Sequence, residues 1–160
     1  MKRPFIFGIL ILSFDQLLKW YFQSHFAGRR LILLSNWGFT YVTNPGIWLN
    51  KDISNSSMLI VQIYALSVWI YVLFMLRYYH QNYRKSIYVD LAFGFFTAAI
   101  YGNVIVDRLI FGYVRDFFIN PIAVSNLADI CGEVALVLVV VEFITQSKSR
   151  SVVKVRVPKD

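Results

Sequence analysis

Nine ionisable side chains stand in or beside apolar stretches of this chain: Asp15, Lys19, Asp90, Asp107, Arg108, Asp116, Asp129, Glu133 and Glu142. At mid-bilayer depth such a group costs about 2.5–3.5 kcal/mol on insertion scales, so each needs a reason. Asp116 and Asp129 offer the most chemistry. Two carboxylates brought to about 3 Å cannot both ionise; they share a proton, which gives one base and one acid from one residue type. Such a pair activates water to attack an amide carbonyl and protonates the leaving nitrogen. No other constellation for peptide chemistry is present, since neither Gly-x-Ser-x-Gly nor His-Glu-x-x-His occurs. Cys131 lies two residues past Asp129 in an apolar run without a nearby His, and reads as an inert thiol. A single Cys excludes an internal disulfide framework and a Cys-rich zinc cluster. His25 and His80 stand far apart without ligand spacing, as interfacial or loop residues, so no metal and no cofactor are expected.

The elements that must position these acids follow from composition. Of 160 residues, 58% are hydrophobic and 16% charged, against about 45–50% and 25% in soluble domains. That argues against a water-soluble domain. Aromatics at 18% suit a chain between lipid and water. The net charge of +7 then reports membrane orientation, not nucleic-acid binding. Apolar runs over about 5–22, 58–76, 87–106 and 127–145 are each ~18–20 residues, enough to cross ~30 Å of hydrocarbon as helices. The expectation is an all-α membrane protein, a four-transmembrane-helix bundle forming one domain over 1–145, with a basic cytoplasmic tail over 146–160. The first run lacks a small-x-small cleavage site and is interrupted by Asp15 and Lys19, so it reads as a retained signal anchor.

Lys and Arg in the flanks set the orientation. Lys2, Arg3, Arg77, Arg84, Lys85, Lys148, Arg150, Lys154, Arg156 and Lys159 fall on one side; Arg29, Arg30, Lys51, Arg108 and Arg115 fall on the other. Ten against five places both termini in the cytoplasm. The first outer loop, 23–57, is too long for a structureless connection. Its stretch Phe39-Thr40-Tyr41-Val42-Thr43 is rich in β-formers, and Asn44-Pro45-Gly46 supplies a turn. A small β-rich cradle on the outer surface, anchored by Trp37 and Trp48, is expected.

Bland readings accompany each acid. Asp15 and Lys19, four apart, share a helix face as an ion pair with a snorkelling Lys, or anchor the helix beside a polar site. Asn103, Asp107 and Arg108 form a polar helix end. Asn126 reads as an N-cap, with Asp129 in the first turn favoured by the helix dipole. Asp90 and Glu142 read as interfacial. Glu133 is one turn past Asp129, either a protonated acid or a hydrogen-bond partner.

Four blocks, in order, resemble the lipoprotein signal peptidases (signal peptidase II), four-helix aspartic peptidases of the bacterial cytoplasmic membrane. They are Asp15-Gln16-Leu17-Leu18-Lys19; Asn44-Pro45-Gly46; Gly102-Asn103 with Asp107-Arg108, Gly112 and Asp116-Phe117; and Asn126-Leu127-Ala128-Asp129. The resemblance implies that Asp116 and Asp129 are the catalytic aspartates. It implies that Asn103, Arg108, Asn126, Asp15, Lys19, Asn44 and Gly46 shape the site or bind substrate. The implied partner is a prolipoprotein, cut just before a Cys bearing diacylglyceryl, with membrane lipids around it and no nucleic acid; a monomer would suffice, since one chain carries both acids. The chain departs from the family with Ala98-Ala99 for Gly-Gly, Ile47 for Ala, and Arg115 before Asp116. Ala98-Ala99 remain small enough for close helix approach, whereas a cation at Arg115 is expected to favour ionised Asp116. Two other functions compete: a non-catalytic binding or assembly protein on the same scaffold, and a small proton-coupled transporter using the acids as a relay.

Overall fold

The computed structural model describes residues 2–46, 55–83 and 85–155. Ile47, the expected Trp48 anchor, Lys51, Arg84 and the tail's Arg156 and Lys159 lie outside the described residues. Four long helices are present: α1 (Lys2–Phe26), α2 (Asn55–Asn82), α3 (Ile87–Ile100) and α4 (Leu127–Val155). Each outruns its apolar run except α3, because backbone pairing persists into the polar flanks where side chains no longer favour lipid. α4 runs as one helix past 145 into the basic segment. Among the described residues, the helices over Lys2–Phe26, Met58–Asn82 and Ile87–Phe111 are long and apolar enough to cross a membrane. The expected fourth span differs in composition, because the first sixteen residues of α4 carry Asp129, Glu133 and Glu142.

Polarity is partitioned inside out. Asp15, Lys19, Asp107 and Asn126 are fully buried, together with Pro4 and Cys131. Ile9, Leu17, Tyr64, Phe74, Leu136 and Phe143 are exposed. Lipid is as good a solvent for Leu as another helix is, so nothing drives these apolar faces inward. Polar groups have no such option and find one another in the interior. α3 packs against α1, α2 and α4, and Ala98, one of the two small residues noted above, has no exposed surface at all.

From Tyr101 to Phe111 the third helix continues as a π-helix, ending at Gly112 in the left-handed conformation with φ 82°. The expected α-helix to 106 is corrected here. Such wider winding is frequent at functional sites, and this segment carries Asn103, Asp107 and Arg108. Gly102 opens it. A Cβ there would stand 2.9 Å from Asp15 Oδ2 and 3.2 Å from the Cβ of Ala128. Neither neighbour is free to retreat, as Asp15 is tied to Lys19 and Ala128 sits in the first turn of α4. Gly102→Ala should therefore cost about 1–3 kcal/mol by overpacking, read as a lower Tm of the detergent-solubilised protein.

The cradle is larger than expected and is not confined to the first outer loop. Strands β1 (Arg30–Leu34), β2 (Trp37–Asn44), β3 (Val114–Ile119) and β4 (Val124–Ser125) form one antiparallel sheet in the order β1-β2-β3-β4. The second outer segment thus supplies half of it. Val42 pairs with Asp116 and Thr43 with Arg115, past an irregularity between Phe39 and Val42. Phe22 of α1 stacks on Phe117 of β3, with ring centroids 4.5 Å apart and planes 4° from parallel, and on Phe39 of β2 at 5.1 Å. These rings clamp the sheet to the end of α1. Trp37 lies in β2, 5.5 Å from the ring of Phe118.

Candidate active site

Asn126 caps α4, and its capping contacts are also those of the two aspartates. Its Oδ1 accepts from the backbone N–H of Asp129 at 3.0 Å, while Asp129 Oδ2 accepts from the backbone N–H of Asn126 at 3.1 Å. This is a reciprocal capping box with an aspartate in the third position. The remaining Asn126 amide, Nδ2, donates to Asp116 Oδ1 at 2.6 Å. One side chain therefore joins the middle of β3 to the start of α4. The cap reading of Asn126 and Asp129 is met by the first two of these contacts, and the third links the same cap to Asp116.

Asp116 and Asp129 differ in environment. Asp116 is 3% exposed, whereas Asp129 is open at the surface of α4. Burial and then the neighbouring Asp129 carboxylate push the Asp116 carboxyl from 3.8 up to about 6, although Asn126 and Asn44 donate to it. The second oxygen of Asp116 accepts from Asn44 Nδ2 at 3.2 Å. Asn44 Oδ1 in turn accepts from the Gly46 N–H at 3.0 Å, and Gly46 O accepts from Arg108 Nη2 at 2.7 Å. The Asn44-Pro45-Gly46 turn is thereby tied to both the sheet and the third helix. Arg108, drawn from the π-helix, sets a cation beside this turn.

Behind Asp129 lies a chain of charges. Asn103 Nδ2 donates to Asp129 Oδ1 at 2.7 Å, and Asn103 Oδ1 accepts from Lys19 Nζ at 2.8 Å. An ammonium only donates, so Lys19 fixes which way this amide points. Lys19 Nζ also lies 2.9 Å from Asp15 and 2.8 Å from Asp107. Asp15 Oδ1 accepts from the Ala128 N–H at 3.0 Å, a second tie on the N-terminus of α4. Asp107 receives the Arg115 backbone N–H at 3.1 Å and its guanidinium at 2.6 and 3.0 Å. Two acids and two bases thus cancel in the interior, which is what burial of ions demands.

The effect expected of Arg115 on Asp116 is not realised. Successive residues of β3 point to opposite faces. Arg115 turns away, bonds Asp107 and Gln16, and lies 4.3 Å from the centre of the Phe111 ring. Its charge is spent on Asp107, and Asp116 keeps a raised pKa. All nine motif positions, Asp15, Lys19, Asn44, Gly46, Asn103, Arg108, Asp116, Asn126 and Asp129, belong to one hydrogen-bonded assembly. Asp107, Arg115 and Gln16 do not stand out as site residues in the sequence, yet they complete its buried half. Asp107 and Arg115, eight residues apart across the Gly112 turn, were the available signal. Glu133 stands exposed on α4, and Cys131 is buried. Among the described residues no three His, Cys, Asp or Glu side chains converge as metal ligands do.

The model of one protein family, described as signal peptidase (SPase) II, matches residues 7–145. Two solved structures share the fold, both described as bacterial membrane enzymes determined by the in meso method. One, at 2.3 Å resolution, has a TM-score of 0.70 and 17% identity, with 100% of this chain and 94% of that chain covered. The other, at 1.9 Å, has a TM-score of 0.68 and 18% identity, with 89% and 93% covered. A search of curated protein sequences gave no match. At these identities the two structures speak for the fold, and the family model carries the assignment. By a match that takes in every block of the polar assembly, the chain belongs to the signal peptidase II family.

Proposed function

We propose that this chain is an aspartic endopeptidase that removes signal peptides from diacylglyceryl-modified prolipoproteins, cutting before the lipidated Cys, with Asp116 and Asp129 as its catalytic pair. The observation that carries the reading is the double contact of Asn126, which binds one aspartate by its side chain and the other by its backbone. Asp116, buried and with its pKa near 6, holds the shared proton. Asp129, bonded by Asn103 and by the backbone at the N-terminus of α4, is the base. Asp129 takes a proton from water as the water oxygen attacks the scissile carbonyl; Asp116 delivers its proton to the leaving nitrogen as the C–N bond breaks. Asn103, Asn126 and Asn44 hold the carboxylates in place, so little reorganisation is left for the reaction itself.

The place suits the substrate. Its cleavage site sits where a membrane-crossing signal helix meets the outer interface, with acyl chains alongside. We place both termini in the cytoplasm of a bacterial cell, with α4 as the fourth span and the aspartates at the extracytoplasmic face. Arg108 and the cradle then lie at headgroup depth, with membrane lipids against the exposed apolar faces, and a single copy of the chain provides the whole assembly. The test is turnover of a diacylglyceryl-modified peptide by purified protein in liposomes. Cleavage before the lipidated Cys is expected, and Asp129→Asn is expected to lose it by at least ~10³-fold with the fold retained. Near wild-type turnover by Asp129→Asn would sink the dyad. Proton flux in the same liposomes, sensitive to that substitution and without cleavage, would replace the peptidase with a transporter.

A further inference from the structure

α2 leans on α3 and meets α4 through Tyr79, which bonds Glu142 and Gln146. A cavity of ≈ 750 Å³ is left between the three helices. Its walls are apolar, among them Leu76 of α2, Phe93 of α3, and Ala135 and Val139 of α4. On α4 the lining runs from Gly132, one turn beyond Asp129, to Glu142 and Gln146. A 20 Å length of helix 10–12 Å across fills roughly 1,600–2,300 Å³. The cavity therefore takes one face of a helix, about a third to a half of it.

Glu142 sits at the far end of this cavity. It is 7% exposed. It accepts from Tyr79 Oη, from Ser86 Oγ at 2.5 Å and from Gln146 Nε2 at 3.0 Å. All three are neutral donors, and among the described residues no salt bridge reaches it. Asp90, likewise buried, differs in having His80 Nε2 at 2.9 Å. Among the described residues, Glu142 is thus a buried carboxylate held by neutral donors at the mouth of an apolar groove.

We infer that this groove seats the apolar segment of the substrate's signal peptide, and that Glu142 pairs with the positive charge at that peptide's N-terminal end. The inference rests on the peptidase reading above. Two quantities support it. Asp129 and Glu142 are thirteen residues apart on one helix, which spans about 20 Å. A signal peptide places 7–15 apolar residues between its basic end and its cleavage site, and thirteen of these in a helix span the same distance. A peptide whose scissile bond lies at Asp129 therefore brings its basic residues level with Glu142. Charge argues against a phospholipid as the occupant, because its phosphate would face this carboxylate.

The test pairs two enzymes with two substrates. Against a lipidated peptide with a Lys/Arg N-terminal end, Glu142→Gln should raise KM about five- to tenfold and leave kcat within about twofold. Against the same peptide with Gln at those positions, wild type and variant should agree. Gln keeps one acceptor oxygen for one hydroxyl, and the other hydroxyl can turn to accept from the new amide, so the fold survives. An equal effect on both substrates, or on neither, overturns the pairing while leaving the peptidase reading intact. A second readout does not need turnover: a photoreactive group in the apolar segment of the peptide should cross-link to α2 and α4 residues of the groove. Cross-links to the exposed face of α1, or to phospholipid alone, would overturn the groove as the peptide's seat.

Discussion

Asp116→Asn is expected to abolish cleavage, by at least ~10³-fold, and to flatten the dependence of thermal stability on pH. The first effect follows from removal of the proton donor. The second follows from linkage. A carboxyl raised from 3.8 to about 6 in the folded protein keeps its proton where the unfolded chain has released it. Folded stability is therefore fully present below about pH 4, falls as the pH climbs through the window between about 4 and 6, and stays lower above it. The gap corresponds to at most ~3 kcal/mol. Asn does not titrate. Its one carbonyl oxygen still accepts from Asn126, but its amide meets the amide of Asn44, so part of the gain is lost. The expected record is a wild-type Tm that drops between pH 4 and 6 and a variant Tm that drops much less. A wild-type protein with no such drop would show that Asp116 titrates like an exposed acid. The same titration shapes activity: a donor with a pKa near 6 should give kcat/KM a fall on the alkaline side of that value.

Lys19→Met carries the largest expected cost to the fold. Lys19 has no exposed surface and touches Asp15, Asp107 and Asn103 at 2.8–2.9 Å. Met fills the space and removes the charge. Asp107 keeps Arg115, but Asp15 is left as a buried carboxylate without a counter-ion. Breaking a buried pair from one side costs about 3–5 kcal/mol. A second substitution separates stability from function. In Lys19→Met with Asp15→Asn, the orphan charge is gone and the amide oxygen can still accept from Ala128. Much of the lost Tm should return. Activity should not, because the Asn103 amide has lost the donor that orients it toward Asp129. A double variant that regained turnover along with stability would show that Lys19 serves the fold alone.

These two residues also show why sequence reads this protein so far and no further. Asp15 and Lys19 are legible as a pair, since four residues on a helix put them on one face. That Lys19 continues to Asn103 and so to Asp129 is not legible, as those contacts cross 84 and 26 positions of chain. The same limit explains Arg115. Its spacing to Asp116 suggested influence by proximity, but alternation along β3 sends the two to opposite faces. Position near the end of an apolar run reads Glu142 as interfacial, but its bonds to Tyr79 and Ser86, from elsewhere in the chain, are not legible there.

Local patterns alone determined the helices, the β-character of Phe39 to Thr43, the cap at Asn126 and the order of the polar blocks, because each depends on neighbours within a turn or two. Tertiary structure decided the rest. It drew β3 and β4 from the second outer segment into the sheet, widened the third helix into a π-turn around Lys19, and made one asparagine the meeting point of two aspartates. Those outcomes depend on which distant polar groups can neutralise one another once apolar faces have no reason to turn inward, and that choice is made only in three dimensions.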